Sequence, residues 1–329
     1  MSSHIPIHGN YHGYYAKRPS PHLSDTRLRL LPAGTFTNAT VLDVGCNEGW
    51  VTCEIGLNGH DELAPEAQVY GAAKVVGVDI DESLVEAAWR RRRAVWSLQA
   101  PPTTSTTTLH PTEPRAAAEP NISDSPPKKK RKRTVPKNTP TTQAPVPPAT
   151  QQHDADPVPD LPARAYFPAS CLHEFGPQPI PPSIKGEVQG ERGSGRGKTA
   201  FPHNVSFRAA DWTATDIPED KAGYDVIVVF SLTKWIHLHA LDTGLTAFFQ
   251  KLHRVLRPGG TLVLEPQPWE SYTKARRMSP TLKENYSKLL LRPEGFGEVL
   301  REVGFAGPVR MGCGGEGGFE RPVHVYTKL

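Results

Sequence analysis

Four cysteines in 329 residues, Cys46, Cys53, Cys171 and Cys313, stand far apart, and no two form a CxxC pair. No disulfide framework is laid out and no metal site is assigned. The first residues, MSSHIPIHGN, lack the charged-then-apolar build of a secretory signal, which predicts a reducing, intracellular setting. No apolar run approaches the roughly 18 residues that a membrane helix needs, so a soluble chain with no membrane partner is expected. A net positive charge is lacking outside one run as well. The formal net charge is +4, but the run KKKRKR at 128–133 supplies six positive charges by itself and leaves the rest at −2. A broadly basic surface is excluded, and any nucleic-acid contact falls to a local patch.

Proline and glycine are plentiful instead, at 34 and 28 residues, more than a compact fold uses. They gather in a stretch whose composition changes from about Gln99 to Thr199, through APPTTSTTTLHPTEP, the basic run and PPSIKGEVQGERGSGRGK. Such a segment has too few apolar residues to offset chain entropy and is expected to be disordered. The chain therefore divides into 1–98, an insert at 99–199, and 200–329, with the two flanks forming one domain. Inside the insert, YFPASCLHEF at 166–175 is an island that could dock on that domain. PKKKRKR at 127–133 resembles a monopartite nuclear localisation signal, which would make an import receptor a partner and the nucleus the location. The other reading is a solvated polybasic linker that adheres weakly to RNA.

Outside the insert, strands and helices alternate. ATVLDVG (39–45), KVVGVDI (74–80), VSFRAAD (205–211), DVIVVFS (225–231) and TLVLEP (261–266) read as strands, and RPVHVYTKL closes the chain as another. GLTAFFQKLHRVL, with Leu245, Phe248, Phe249, Leu252, Val255 and Leu256 at helical spacing, reads as a helix stopped by RPGG. This alternation argues for a doubly wound α/β sheet with ligands at the carboxyl ends of its strands.

Three strand ends carry groups suited to a nucleoside cofactor. Asp43-Val-Gly45-Cys-Asn-Glu-Gly49 sits at a strand-to-helix junction, where Gly45 allows a sharp turn, Gly49 allows close helix approach and Asp43 brings a carboxylate. Alone this loop is a weak motif, since Asn47 stands where DxGxGxG has its middle glycine. Asp79, ending the second strand, is placed to accept both hydroxyls of a ribose. Asp211 and Trp212, ending the third, offer an acceptor and a ring face for adenine. The glycine loop has no Lys or Arg to meet a pyrophosphate, so the set suits S-adenosylmethionine better than NAD. Turn and N-cap duty for the aspartates, and core packing for Trp212, are the competing readings.

Other segments interleave aromatics and cations. GNYHGYYAKR near the N-terminus holds Tyr11, Tyr14, Tyr15, Lys17 and Arg18, with Arg27 following, a pattern that stacks bases and grips phosphates unless the tyrosines simply pack on the domain. SLTKWIHLH (231–239), read as the loop after the fourth strand, gathers Lys234, Trp235, His237 and His239. Trp235 there is more often core than platform. Glu265 and Gln267 in LEPQPW are candidates to order the substrate loop or to hydrogen-bond a protonated phosphate or ribose hydroxyl, with loop scaffolding as the alternative. GCGGEGGF reads as a mobile connection or a wide hairpin loop.

Taken in order, GNYHGYYAKR, VLDVGCNEGWVT, VVGVDID, FPHNV, SLTKWIHL, LRPGGTLVLEPQPWESY, NYSKLLLRPEGF and GGFERPVHVY resemble the bicoid-interacting family of RNA methyltransferases. The likeness covers nearly all the chain outside the insert, and FPAS resembles a segment of a similar insertion in those enzymes. His239 in place of an asparagine, and AADW at the third strand end, depart from the family pattern. The resemblance implies a Rossmann-like class I S-adenosylmethionine-dependent methyltransferase, with a seven-stranded, mostly parallel sheet and an antiparallel last strand. It implies methyl transfer to the 5′-terminal phosphate of a small non-coding RNA, with an RNA-binding protein of the same ribonucleoprotein as a possible further partner. Tyr14, Arg27, Gly45, Asp79, Ile80, Asp211, Trp212 and the Phe230 backbone are then expected at the cofactor, joined by Asp43 and Gly49 from the glycine loop. Tyr15, Arg18, Lys234, Trp235 and His237 are expected to face the RNA terminus, flanked by Tyr11, Lys17, Glu265 and Gln267. Lys234, Arg18 and Tyr15 would carry the catalytic positioning.

Three rivals remain. A ribose 2′-O-methyltransferase would need a base, and Lys17, Lys234 and Glu265 could fill three places of a Lys-Asp-Lys-Glu set, but SLTKW holds no Asp. A non-catalytic RNA chaperone could use the same groove. A small-molecule methyltransferase is the third, and the N-terminal segment of tyrosines and cations speaks against it.

Overall fold

A computed structural model describes residues 6–15, 25–57, 70–97, 174–183, 198–314 and 320–329. Lys17, Arg18 and the basic run at 127–133 lie outside the described residues. The described residues form one compact unit built on a seven-stranded sheet.

The strands are β1 (Thr40–Val44), β2 (Lys74–Asp79), β3 (Val205–Ala209), β4 (Tyr224–Phe230), β5 (Leu256–Glu265), β6 (Phe305–Gly314) and β7 (Arg321–Lys328). Their order is β3-β2-β1-β4-β5-β7-β6. The first five run parallel, and β7 pairs antiparallel with both β5 and β6. The helices are α1 (Thr26–Arg29), α2 (Trp50–Gly56), α3 (Glu82–Ser97), α4 (Thr233–Val255), α5 (Trp269–Ala275), α6 (Pro280–Lys288) and α7 (Phe296–Val303). Strand order reverses between β1 and β4, so the crevice outside their carboxyl ends is the switch point where such sheets bind ligands.

The core follows strand parity. Val226, Val228 and Phe230 of β4 join the cluster beneath α2 and α3, while Ile227 and Val229 join the cluster beneath α4 and α7. In β5 Val263 faces the first side and Leu262 and Leu264 the second. Successive side chains of a strand point to opposite faces, so a run buried on both sides reads as uninterrupted Val, Ile and Leu.

Two expectations change. SLTKWIHLH is not a loop: α4 starts at Thr233 and breaks only at Leu241, whose φ of 63° and ψ of −173° are non-helical. The break is held by Asp242, whose carboxylate meets His237 Nε2 at 2.7 Å and accepts from the Leu290 and Leu291 amides at 2.9 and 3.2 Å. Part of the glycine-rich stretch read as a loop also differs, since Gly312 to Gly314 belong to β6.

Gly49 proves to be a packing residue. It caps α2 in a left-handed conformation (φ 75°), and a Cβ there would stand 2.8 Å from Phe207 Cζ and 2.9 Å from Ala88 Cβ. The close approach of α2 to α3 and β3 needs its hydrogen. Gly49→Ala is expected to lower the stability seen in urea denaturation by about 1–3 kcal/mol, through both overpacking and the positive φ.

Candidate functional site

A cavity of about 260 Å³ opens at the carboxyl ends of β1, β2, β3 and β4. Its wall on the β1 side is the turn Gly45–Cys46–Asn47, in which Gly45 (φ 78°) and Asn47 (φ 50°) both take left-handed backbones. The Asn47 amide donates to Asp79 Oδ2 at 2.9 Å, and the Asp81 amide to Oδ1 at 3.0 Å. Burial raises the Asp79 pKa, with these amide bonds opposing it. Each Asp79 oxygen keeps a further lone pair for a donor from the cavity. Ile80 beside it is 46% exposed and lines the same wall. Asp211 contributes from the β3 end, where its Oδ1 also accepts from Thr213 Oγ1 at 2.6 Å.

The segment 6–15 crosses this mouth and is tied to it at several points. Asn10 Nδ2 donates to Asp81 Oδ2 at 2.7 Å, the Gly13 amide to Glu48 Oε1 at 2.9 Å, and Asn47 Nδ2 to the Tyr11 carbonyl at 3.1 Å. The Tyr14 hydroxyl donates to Ser231 Oγ at 3.3 Å, and His239 Nε2 sits 2.9 Å from the Ile7 carbonyl. Gly9 lies directly on the indole of Trp235, where a Cβ would overlap the ring. Tyr11, Tyr14 and Tyr15 line the cavity from this side.

Beneath them lies a buried ionic centre. Asp43, Phe230 and Glu265 end adjacent strands on the same face of the sheet, and the Arg27 guanidinium rests 4.2 Å above the Phe230 ring. Arg27 is 1% exposed. It donates to Asp25 from Nε (2.9 Å) and Nη2 (2.7 Å), to Glu265 Oε2 from Nη1 (3.0 Å), and to the Tyr15 hydroxyl from Nη2 (3.0 Å). Burial alone would lower its pKa, but Asp25 and Glu265 carry it above its ordinary value. Asp43 instead accepts from Thr52 Oγ1 at 2.6 Å, and burial pushes its pKa up to about 6 against that bond and the nearby Arg27.

Ser231 joins this centre to the rim. With φ at 56°, it donates from Oγ to Glu265 Oε2 (2.5 Å) and accepts from Arg321 Nη1 (2.7 Å). Gln267 braces the same turn: its Nε2 donates to the Ser231 carbonyl, and its Oε1 accepts from the Lys234 amide at 3.1 Å and from Thr233 Oγ1 at 3.2 Å. Lys234 and Arg321 both line the cavity. Burial drives the Lys234 pKa down to about 8, and the neighbouring Arg321 and Lys274 push the same way.

His237 and Glu265 lie off the cavity wall, and several other expected site residues reach that wall with their polar groups or ring faces already engaged. His237 is 0% exposed, wedged between Asp242, Tyr272 and Phe296, so it cannot face an RNA end. Burial lowers its pKa, only partly offset by Asp242. Trp235, at 6% exposure, is roofed by Gly9 and has Tyr11 tilted on it at 5.9 Å, which makes it core and no stacking platform. Trp212 lines the cavity while packed as core: its indole N–H donates to Asp220, and its ring meets Phe248 edge-on. Glu265 is wholly buried and serves Arg27 and Ser231, and Gln267 is a brace with 2% exposure. Arg27 is committed to carboxylates, and Tyr15 stacks on Trp50 with its hydroxyl turned to Arg27. Asn10, Asn47, Ser231 and Arg321 escaped the sequence reading. Arg321 had a signal, the quoted motif GGFERPVHVY, and Asn47 had one in its place at the middle glycine of DxGxGxG, but Ser231 gives none, because a lone non-glycine residue at positive φ leaves no trace in composition.

The cavity fits a nucleoside bearing an amino-acid tail. Asn10 Oδ1 and Asn47 Oδ1 are buried acceptors with no hydrogen-bond partner, and both residues line the cavity. Donors such as an ammonium or a ribose hydroxyl would satisfy them. The turn at 45–47 brings no cation for a pyrophosphate.

Strand order, an antiparallel seventh strand and a cavity at the switch point define a class I methyltransferase fold. Within it, residues 224–328 match the model of the Bicoid-interacting protein 3 (Bin3) family. The chain is 32% identical over 328 residues to the 7SK snRNA methylphosphate capping enzyme of Mus musculus, covering 98% of this chain and 40% of that protein. It is 41% identical over 137 residues to the U6 snRNA methylphosphate capping enzyme Amus of Drosophila melanogaster, covering 39% and 45%. The chain thus spans about two-fifths of the length of these curated relatives. Among solved structures it aligns with the magnesium protoporphyrin IX methyltransferase of Synechocystis at 10% identity and a TM-score of 0.43, over 92% of this chain and 76% of that one.

Removing one carboxylate should leave the buried guanidinium under-compensated. Glu265→Ala is expected to cost about 3–5 kcal/mol in urea denaturation, with Glu265→Gln, which keeps an acceptor, costing clearly less.

Proposed function

We propose that this chain is an S-adenosylmethionine-dependent RNA methyltransferase that methylates the 5′-terminal phosphate of a small non-coding RNA. It would be one methyltransferase domain interrupted at 99–199. The observation that carries the reading is a single cavity with two kinds of wall. Carboxylates and buried amide acceptors stand at the ends of β1 to β3, whereas Lys234 and Arg321 stand at the end of β4 and beside it.

When bound, the cofactor supplies an electrophilic methyl group on a sulfonium. Asp79 would accept from its ribose, Asn47 and Asn10 would meet its remaining donors, and Ile80 and Asp211 would flank the base. A terminal phosphate oxygen is already anionic, so the chain needs no general base. It needs only to hold that oxygen in line and about 3 Å from the methyl carbon. Lys234 offers a compact charge for one phosphate oxygen and Arg321 a planar fork for others. The ribose 2′-O alternative loses support here, because Glu265, its candidate acid, is engaged by Arg27 and Ser231. Arg18 and Lys17 remain proposed phosphate ligands outside the described residues. A nuclear site of action, an import receptor gripping 127–133 and an RNA-binding protein of the same particle complete the proposal.

Labelled S-adenosylmethionine with matched RNAs ending in triphosphate, monophosphate or hydroxyl tests it. Label is expected on the phosphorylated ends; equal label on the hydroxyl-ended RNA would overturn it. Lys234→Ala should keep cofactor affinity near wild type by calorimetry while turnover falls roughly 10–100-fold. The pH profile has a definite sign. A lysine is cationic below its pKa, so kcat/KM for RNA, which reports the free enzyme, should decline as pH rises through about 8. Lys234→Arg should carry that decline to higher pH.

A further inference from the structure

Helices α5 and α6 carry a stack of planar groups that the pocket does not use. The Trp269 and Tyr286 rings stack with centroids 4.8 Å apart and planes within 19°. Tyr272 is tilted against Trp269 at 4.8 Å, Arg292 lies over the Trp269 ring at 3.7 Å, and Arg276 lies over Tyr286 at 4.6 Å. Each of the two stacked rings thus carries a guanidinium of its own. Arg292 is further anchored by Nη1 donating to the Leu289 carbonyl at 2.8 Å. Tyr286 is tied to α5 through Thr273, 3.3 Å from its hydroxyl.

The charge of this segment is unlike the rest. Between Trp269 and Arg292 there are six Lys and Arg against Glu270 and Glu284, a net +4, whereas the chain outside the 128–133 run sums to −2. Arg276 and Arg292 pair with no carboxylate among the described residues, and neither does Lys274, which is exposed. By contrast, the arginine run in α3 is partly spent internally: Arg91 lies on Trp50, and Arg92 donates to the Val205 carbonyl. Lys274 is close enough to Lys234 to depress its pKa, so the positive strip begins at the pocket rim and continues along α5 and α6.

We propose that the α5–α6 face is a docking surface for the phosphodiester backbone of the RNA downstream of its 5′ end. The inference rests on the proposed function, which puts that end in the adjoining pocket. Guanidiniums already stacked on aromatics lose little freedom when they grip phosphates, and their edges match phosphate oxygens bidentately. The ring faces are covered, so the surface follows the backbone and reads no base, which suits RNAs of varied sequence.

Fluorescence anisotropy of a 5′-monophosphorylated RNA hairpin with the full chain tests this without requiring methyl transfer. Arg276→Gln/Arg292→Gln is expected to weaken hairpin binding about tenfold at moderate salt and to lower the log–log salt slope by about two. Methylation of a 5′-phosphorylated trinucleotide, too short to reach the face, should stay within twofold of wild type. Lys274→Gln, at an exposed position with no ion pair, guards against misfolding of the double variant and should lower the slope by about one. Hairpin affinity and slope unchanged in both variants would overturn the proposal. So would trinucleotide methylation falling in step with hairpin binding, which would assign these residues to the pocket. Loss of polyglutamate binding with hairpin binding intact would overturn it in favour of an acidic protein partner. Absence of phosphate methylation by the wild-type chain would instead defeat the proposed function, while the anisotropy still decides the surface.

Discussion

A guanidinium with 1% exposure at the end of a parallel sheet is the constraint on which this site is built. Removing such a cation from water costs several kcal/mol, and it persists only where carboxylates and hydrogen bonds return most of that. Asp25, Glu265 and Tyr15 do so from three separate parts of the chain: the cap of α1, the end of β5 and the segment across the cavity mouth. The pairing fixes where α1 and the N-terminal segment lie against the sheet. Because Glu265 also takes the Ser231 hydroxyl, the same charge pair sets the turn from which α4 and Lys234 start.

Two turns carry the site's geometry, and both place side-chain residues at positive φ. Asn47 and Ser231 occupy conformations that glycine would adopt more easily, at a cost of order 1–3 kcal/mol each. Each position returns something that glycine could not. Asn47 Nδ2 holds the Tyr11 carbonyl, and Ser231 Oγ links Tyr14, Glu265 and Arg321. Strain at the strand ends thus connects the N-terminal segment, the sheet interior and β7.

The sheet was legible because parity and burial write themselves into composition. DVIVVFS and TLVLEP are apolar on both faces, and no solvated strand would be. Asp43, Gly45 and Asp79 could be placed for the same reason, at the ends of such runs. What could not be read was which side chains near those ends point inward. Lys234, Trp235 and His237 look alike as a cluster, yet a helix beginning at Thr233 sends Lys234 to the cavity and His237 into the core. That depends on where α4 begins and on the break at Leu241, and the break is stabilised by Asp242 contacting Leu290 and Leu291, 48 and 49 residues away. No local window holds that information. Gly49 marks the opposite limit, since a glycine demanded by helix packing looks the same in sequence as one demanded by a ligand.

Charge is distributed in the cavity as the two proposed ligands of opposite sign would require. At its floor one guanidinium is set among Asp25 and Glu265, with Asp43 and Asp79 nearby, so the interior is electronegative on balance. Lys234 and Arg321 sit at the other wall, with Lys274 close enough to be felt by Lys234. Under the proposed function, a cationic sulfonium would be favoured deep in such a site and a phosphate at its rim. The two would then attract each other across the gap that the methyl group crosses. Neutralising the floor would remove that sorting, and crowding more cations onto the attacking oxygen would blunt it as a nucleophile. Burial, with Arg321 and Lys274 pushing the same way, holds the Lys234 pKa down, so this amine would be most strongly cationic with an anion paired to it.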